Sequence, residues 1–419
     1  MLEANFMATD GIQAEACLPI DDLYIPSAEE CRQCGMCVST CPTFRLTPID
    51  AETPRQRLRS IHKILNDQVI SDEDQQHLDH CLQCRACETI CPSQVQYGKL
   101  FDTAQTRLQT TGNHPWAARI GFALIANKRW RQMLLPWVSL YLRSGLRKPL
   151  RASGLLDRLK LAEAENLACH PSLIKLSGIY PVKKRKIRGR VALFTGCLSE
   201  HFDRATHLAT IKILNTLGYE VVVPENQSCC GAIHQHNGLS AQALIDNNIA
   251  EFYALEVEAV LYNATGCGAM LAEYRNHDEE TSGWFRNKQQ DVHQFLLDHW
   301  PSELIPAASN MKVAVHEPCS QRNVLKNTQS VYDLLRKIPG IDLRPLADND
   351  QCCGSGGTYS LSQPDKADSF RRAKRTSISQ CGADLVVSSN FGCSLYLNAN
   401  RRNEEHKLLH PLQLLADRL

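Results

Sequence analysis

Short apolar runs alternate with longer amphipathic segments through the C-terminal half of this 419-residue chain. Residues 191–194, 221–223 and 260–262 are brief β-branched or apolar runs. A second set follows at 313–315 and 385–387, with Ile341-Asp342-Leu343 a weaker strand between them. Runs of that length read as buried strands, and the helical stretches 205–217 and 329–338 between them predict parallel α/β units. Nearer the N-terminus, Thr53-Pro54 opens a stretch in which Leu58, Ile61, Ile64 and Leu65 recur at helical spacing. Farther on, Leu134, Trp137, Val138 and Tyr141 share one helical face, with Pro136 placed to set the first turn. Arg129, Arg131, Arg143, Arg147 and Lys148 surround that face, and Trp116 and Trp130 add to it. The pattern predicts helices packing on flanking domains. The alternative is an interfacial helix lying on anionic lipid or lining a quinone groove. The most apolar stretches, 120–126 and 133–142, end at Lys128 and Arg143, short of the roughly 18 residues a spanning helix needs. Any membrane contact is therefore expected to be peripheral.

The C-terminal half repeats itself. Val191-Ala192 stands six residues before Cys197, and Val313-Ala314 six before Cys319, an offset of 122 between the copies. Cys229-Cys230-Gly231 returns as Cys352-Cys353-Gly354 at an offset of 123, and Gly266-Cys267 as Gly392-Cys393 at 126. Three landmarks in constant order define a duplicated domain. Each falls just beyond the carboxyl end of a predicted strand, where open parallel sheets place their ligand sites, and the adjoining glycines let the backbone approach a bulky inorganic group. Each copy thus offers four thiols, Cys197, Cys229, Cys230 and Cys267, then Cys319, Cys352, Cys353 and Cys393, for metal within a copy or shared across the pair. Adjacent cysteines reach different irons of a cluster more readily than one small ion, so a further iron-sulfur cluster or clusters is the reading, with zinc the alternative. Duplication also predicts the two copies packed about a pseudo-twofold axis with their cysteine loops facing.

Eight more cysteines lie in two matching runs 50 residues apart, Cys31-Cys34-Cys37-Cys41-Pro42 and Cys81-Cys84-Cys87-Cys91-Pro92. This C-x2-C-x2-C-x3-C-P spacing is the bacterial-type run for two 4Fe-4S clusters, in which the fourth cysteine of each run reaches across to the other cluster. One cluster is then assigned to Cys31, Cys34, Cys37 and Cys91, and the second to Cys81, Cys84, Cys87 and Cys41. Cys17, Cys169 and Cys381 fall outside every pattern and read as ordinary thiols. His234, His236 and His316 stand near cysteine loops and read as satisfied polar residues, with cluster tuning or ligation the alternative. The predicted fold class is α+β and multidomain. An α-helical ferredoxin domain with two clusters spans 22–102, a helical linker with a basic run 103–190, and two Cys-Cys-Gly α/β repeats 191–310 and 311–419.

Charge narrows the partners. With 46 basic against 45 acidic residues there is no global pull toward nucleic acid or an anionic membrane, so any such partner acts through a local patch. The basic run Lys183-Lys184-Arg185-Lys186, with Arg188 and Arg190, reads as a solvated linker, its alternative being a dock for an acidic partner or lipid. Residues 1–18 lack a basic region followed by an apolar one, so no secretory signal is read and the reducing cytoplasm is expected, where 19 cysteines signify metal ligands. No G-x-G-x-x-G follows a clean strand, so Gly354-Ser355-Gly356-Gly357 reads as cluster-loop glycine and not a nucleotide site.

Two cluster runs followed by two Cys-Cys-Gly domains resemble the iron-sulfur subunit of glycolate oxidase, the bacterial glycolate dehydrogenase, over nearly the whole chain. The resemblance extends to Cys352-Cys353-Gly354-Ser355-Gly356-Gly357-Thr358-Tyr359 and to Thr53-Pro54-Arg55. It implies an electron-transfer subunit with no catalytic residue for the hydroxy acid. A partner flavoprotein carrying FAD oxidises a 2-hydroxy acid, and electrons pass toward the quinone pool from the cytoplasmic face of the plasma membrane. The iron-sulfur subunit of anaerobic glycerol-3-phosphate dehydrogenase has the same layout, and D-lactate systems use related parts. Heterodisulfide reductases close each Cys-Cys-Gly copy with C-x-x-C, whereas Met270 and Tyr396 stand at those second positions here. That departure weighs against thiol-disulfide reduction, the alternative from another class.

Overall fold

The computed structural model describes residues 31, 34–111, 115–183, 186–401 and 406–419. The readings of residues 1–18, of Cys17, of the opening of the 22–102 module and of Lys184-Arg185 lie outside the described residues. The chain divides into two compact units, Met1–His114 with Gly231–Ala243, and Pro115–Cys230 with Leu244–Leu419.

The first unit is helical. Thr53 caps the Pro54–Leu65 helix, its Oγ1 accepting from Gln56 N at 3.3 Å, and Pro54 occupies the first turn where no N–H is needed. Leu58, Ile61, Ile64 and Leu65 are buried as their spacing predicts, packing with Leu78, Val95, Leu100, Phe101 and Ala104. Cys31, Cys81, Cys87 and Cys91 border this core, so the cysteine loops are seated on the connector between them. Gly231–Ala243 belongs to the same unit. There Gln235 Nε2 donates to Oδ2 of Asp102, a residue of the Tyr97–Thr111 helix, at 3.0 Å, and His236 Nδ1 lies 3.0 Å from Asp102 Oδ1.

The second unit contains two sheets. In the first, β1 (Gly178–Tyr180) runs antiparallel to β3 (Tyr219–Val223), while β2 (Gly189–Phe194), β4 (Val260–Tyr262) and β5 (Gln289–Asp291) are parallel, in the order β1-β3-β2-β4-β5. Val191 pairs with Val221, and Ala192 with both Val222 and Val260. The second sheet, β6 (Lys312–His316), β7 (Asp342–Pro345), β8 (Leu385–Ser388) and β9 (Leu408–Leu409), is all parallel in the order β7-β6-β8-β9. That order matches β3-β2-β4-β5, so the duplication is visible in the topology. The helix after the last strand of each copy packs on the helix after the first strand of the other: Val292–Asp298 on Gln329–Leu335, and Pro411–Ala416 on Arg204–Leu217. Such reciprocal contacts are those of a pseudo-twofold pair. Val191, Leu193, Val221, Leu261, Val313, Val315, Val387 and Leu412 all belong to one buried cluster.

One helix departs from expectation. It begins at Lys128, where Asn127 Oδ1 accepts from Trp130 N at 3.2 Å, and runs to Arg143 with Pro136 in its interior. A real N-cap outcompetes the proline as a start signal. Arg131, Leu135 and Ser139 face the protein, whereas Trp137, predicted to pack, is 68% exposed.

Candidate metal centres

The two cysteine runs line two separate hollows in the helical unit. One is bordered by Cys31, Cys34 and Cys37 with Cys91; the other by Cys81, Cys84 and Cys87 with Cys41. Each run thus contributes three thiols to one hollow and its fourth to the other. Local backbone makes this possible. Gly35 takes a left-handed φ of 78°, and Arg85, its equivalent 50 residues on, takes 57° despite its side chain. Arg85 is held there by a two-point ion pair with Glu88, at 2.6 and 2.9 Å.

Burial pushes the Cys87 thiol well up, with Cys84, Cys81, Cys41 and Cys37 adding to it, so the two thiol sets are electrostatic neighbours. Burial likewise raises Cys37 to about 11, with Cys31 and Cys91 contributing. Metal ions entering such a set displace protons, which is the behaviour of thiolate cluster ligands. Donors are in place for the sulfurs of the second set. Gln83 N lies 3.4 Å and Tyr97 Oη 3.6 Å from Cys81 Sγ, and Arg57 Nη1 lies 3.6 Å from Cys41 Sγ. Eight cysteines gathered as two crossed quartets, with donors aimed at the sulfurs of the second, fit two 4Fe-4S clusters.

Sequence reasoning missed what stands behind Cys41. Arg57 is fully buried, paired with Glu52, and its Nε donates to His77 O at 2.7 Å. Glu52 Oε1 also meets His80 Nδ1 at 2.5 Å and His77 Nδ1 at 2.9 Å. Burial pushes the Glu52 carboxyl up, but the His80 hydrogen bond, the Arg57 charge and the His77 hydrogen bond outweigh it and hold the group at about 2. Glu52, His77 and His80 bring three ligand atoms within 4.8 Å, yet both imidazoles hydrogen-bond the Glu52 carboxylate, which also pairs with Arg57, so a hydrogen-bond network accounts for them. The available signal was a charged residue on an apolar stripe, since Arg57, Ile61 and Ile64 share one helical face.

In the second unit each Cys-Cys-Gly copy gathers its own four cysteines. A hydrogen bond with Cys229 and burial push the Cys197 thiol well up, and Cys230 contacts both Cys229 and Cys267. In the other copy Cys319 bonds with Cys352, and Cys353 Sγ stands 3.1 Å from Cys393 Sγ. Cys197 and Cys319 follow β2 and β6, the adjacent pairs follow β3 and β7, and Cys267 and Cys393 follow β4 and β8, all at carboxyl ends of strands. Gly354 is demanded by its place: φ is +89°, and a Cβ there would lie 2.4 Å from Ala367 O. The loops after β4 and β8 meet through Asn390, whose Nδ2 donates to Cys393 Sγ at 3.3 Å while its Oδ1 accepts from Gly266 N at 3.2 Å. Met270 and Tyr396 are buried, with the Arg371 guanidinium 4.8 Å from the Tyr396 ring centre. His316 is buried and bonds Ser388 Oγ at 3.0 Å, and burial lowers it to about 3; His236 faces Asp102, and His234 is buried. Cys381 Sγ donates to Ile378 O at 3.0 Å, away from both sets, and Cys169 is half-buried.

Comparison with known proteins agrees with this architecture. Residues 27–95 match the 4Fe-4S dicluster domain, and residues 191–272 and 313–398 each match the Cysteine-rich domain. The matched modules define an iron-sulfur protein carrying two 4Fe-4S clusters. The chain is 31% identical over 402 residues to the probable glycolate oxidase iron-sulfur subunit of Bacillus subtilis, covering 89% of each. It is 30% identical over 390 residues to the glycolate oxidase iron-sulfur subunit of Escherichia coli, covering 90% of this chain and 91% of the relative. Lactate utilization protein A of Shouchella clausii is 29% identical over 237 residues, 54% of this chain and 98% of that protein. The chain belongs to the glycolate oxidase iron-sulfur subunit family, whose members are subunits of a glycolate oxidase-type 2-hydroxy acid dehydrogenase.

Proposed function

We propose that this chain relays electrons from a partner FAD-containing 2-hydroxy acid dehydrogenase, glycolate being the first substrate to test, toward membrane quinone. The observation that carries the reading is the crossed gathering of Cys31, Cys34, Cys37 and Cys91 about one hollow and Cys81, Cys84, Cys87 and Cys41 about its neighbour. Clusters bound there supply one-electron carriers able to divide the two electrons of a reduced flavin. The chain's own residues prepare the sites: Arg57, Tyr97 and the Gln83 amide direct positive charge or hydrogen-bond donors at sulfur, easing the gain of negative charge on reduction. Each C-terminal quartet is assigned a metal centre of its own, iron-sulfur in preference to zinc, because each contains an adjacent cysteine pair, Cys229-Cys230 or Cys352-Cys353, which reaches different irons of a cluster more readily than one small ion. The buried Met270 and Tyr396 favour relay over disulfide reduction. A quinone acceptor makes the chain a peripheral subunit on the cytoplasmic side of the membrane.

The test is the intact complex. The chain alone is expected not to oxidise glycolate or lactate, and with its co-purifying flavoprotein to let the acid reduce a quinone. Cys84→Ser should abolish quinone reduction while leaving the partner's flavin reducible by substrate. Quinone reduction at the wild-type rate in that variant would overturn the relay. Lactate or glycerol 3-phosphate as the preferred donor would reassign the substrate and leave the relay standing.

A further inference from the structure

Two consecutive helices of the second unit, Trp116–Ala126 and Lys128–Arg143, leave their largest apolar side chains in solvent. On the second, Trp130 is 56%, Met133 65%, Trp137 68% and Leu140 58% exposed, with Leu134 beside them. At 100° per residue these five fall in a sector about 120° wide, opposite the buried Arg131, Leu135 and Ser139. The first helix adds Trp116, 60% exposed, and Ile120 one turn later. An apolar stripe of this kind on a helix that already has its own buried face is not needed for folding.

Charge identifies what covers it. Between Asp102 and Asp157 the chain has no acidic residue and nine lysines and arginines. Lys128, Arg147 and Arg151 are engaged with Glu200 or Glu165. Among the described residues Arg119, Arg129, Arg143 and Lys148 are exposed and enter no ion pair. Arg129 and Arg143 run along one edge of the stripe, and Arg119 lies beside Trp116 and Ile120. Tryptophans level with a band of unpaired cations suit the boundary of an anionic bilayer, where the rings enter the headgroup layer and the guanidinium groups meet lipid phosphate. A stretch this long without a single acidic residue fits that uniformly anionic surface better than the mixed charges of a protein partner. No described helix is long and apolar enough to cross the membrane, so such seating is on the surface.

We infer that the exposed face of the Trp116–Ala126 and Lys128–Arg143 helices is a lipid-docking surface that seats this chain on an anionic membrane. The inference deepens the relay reading, in which electrons leave toward a quinone dissolved in the bilayer, and it names the face that meets the membrane.

The purified cluster-loaded chain should co-sediment with vesicles of phosphatidylcholine and phosphatidylserine at 7:3, and at least tenfold less with phosphatidylcholine alone. Trp130→Glu/Trp137→Glu should lower binding to the anionic vesicles at least tenfold, and Arg129→Glu/Arg143→Glu by a comparable factor that vanishes in high salt. Circular dichroism and the cluster absorbance check that each variant is folded, both pairs being on the solvent side. Wild-type binding by folded variants of both pairs, or no binding of the wild-type chain to anionic vesicles, would overturn the inference. So would loss of flavoprotein capture by the tryptophan variant with vesicle binding unchanged, which would make the face a protein interface. Failure of the relay reading appears elsewhere, as clusters that do not bleach when substrate and flavoprotein are added, and leaves vesicle binding untouched.

Discussion

Replacing Arg57 by glutamine is expected to lower the reduction potential of the cluster assigned to Cys41, Cys81, Cys84 and Cys87, and replacing Glu52 by glutamine to raise it. Arg57 is a buried cation with Nη1 3.6 Å from Cys41 Sγ, and reduction adds one negative charge beside it. At an effective dielectric of about 20, a unit charge about 7 Å from the added electron is worth about 2.4 kcal/mol, or about 100 mV for a one-electron couple. The Glu52 carboxylate, paired with Arg57 Nη2, carries the opposing charge and offsets part of the Arg57 field. Arg57→Gln should then shift the potential down by about 50 to 100 mV, the smaller figure applying where the abandoned Glu52 takes up a proton, and Glu52→Gln should shift it up by about 30 to 50 mV. Breaking one side of a buried pair also costs about 3–5 kcal/mol, so the Arg57→Gln/Glu52→Gln double variant is needed as the charge-balanced control. Anaerobic redox titration followed by paramagnetic resonance reads the potential of each cluster separately. A shift of both single variants in the same direction, or of neither by more than about 15 mV, would refute the electrostatic account.

Cys41→Ser should remove the cluster otherwise held by Cys81, Cys84 and Cys87, and Cys91→Ser the one at Cys31, Cys34 and Cys37; iron content should fall by about four per chain in each, with different resonance signals surviving. Gly354→Ala should destabilise the second Cys-Cys-Gly copy by well over ~1 kcal/mol, because it combines a left-handed φ with a Cβ 2.4 Å from Ala367 O. Gly382→Ala, at φ +61° with open space around it, is the thermal-melt control for backbone cost alone. Burial raises Asp203 from 3.8 to about 6 against the Thr206 hydrogen bonds, so its contribution to stability is full below about pH 4 and is lost as pH rises through about 6. Asp203→Asn should therefore gain about 3 kcal/mol relative to the parent at pH 8 and well under ~1 kcal/mol at pH 4, as read by chemical denaturation at the two values.

The strands legible in the sequence are those whose side chains are buried on both faces. Val191, Leu193, Val221, Val260, Val313 and Val387 are all inaccessible to solvent, and such positions demand apolar residues in an unbroken run. The strands that escaped notice lie at sheet edges. β5 is Gln289-Gln290-Asp291, held by pairing with β4 alone, β9 has only two residues, and β1 is an antiparallel edge inside what reads as linker. Edge strands are specified by the neighbour they join more than by their own pattern. The Lys128–Arg143 helix misled for a different reason. Its apolar residues continue around the exposed side, so periodicity marks the helix without saying which face the protein covers.

The candidate sites divide along the same line. Cysteine spacing is local information, and a thiolate cluster imposes the same loop wherever it is held, so all sixteen patterned cysteines are readable by position and the structure gathers them in four sets. What surrounds the sulfurs is not local. Glu52 and His80 stand 28 residues apart, and Asn390 reaches a backbone amide 124 residues away. Each such partner is a single polar residue with no periodicity of its own, placed only once helices and sheets have packed. Metal-ligand identity is therefore written in spacing, whereas the charges and hydrogen bonds that set a cluster's potential are written in tertiary structure. Family members sharing every cysteine are thus free to differ in potential through residues such as Arg57 and Asn390, which no ligand motif contains.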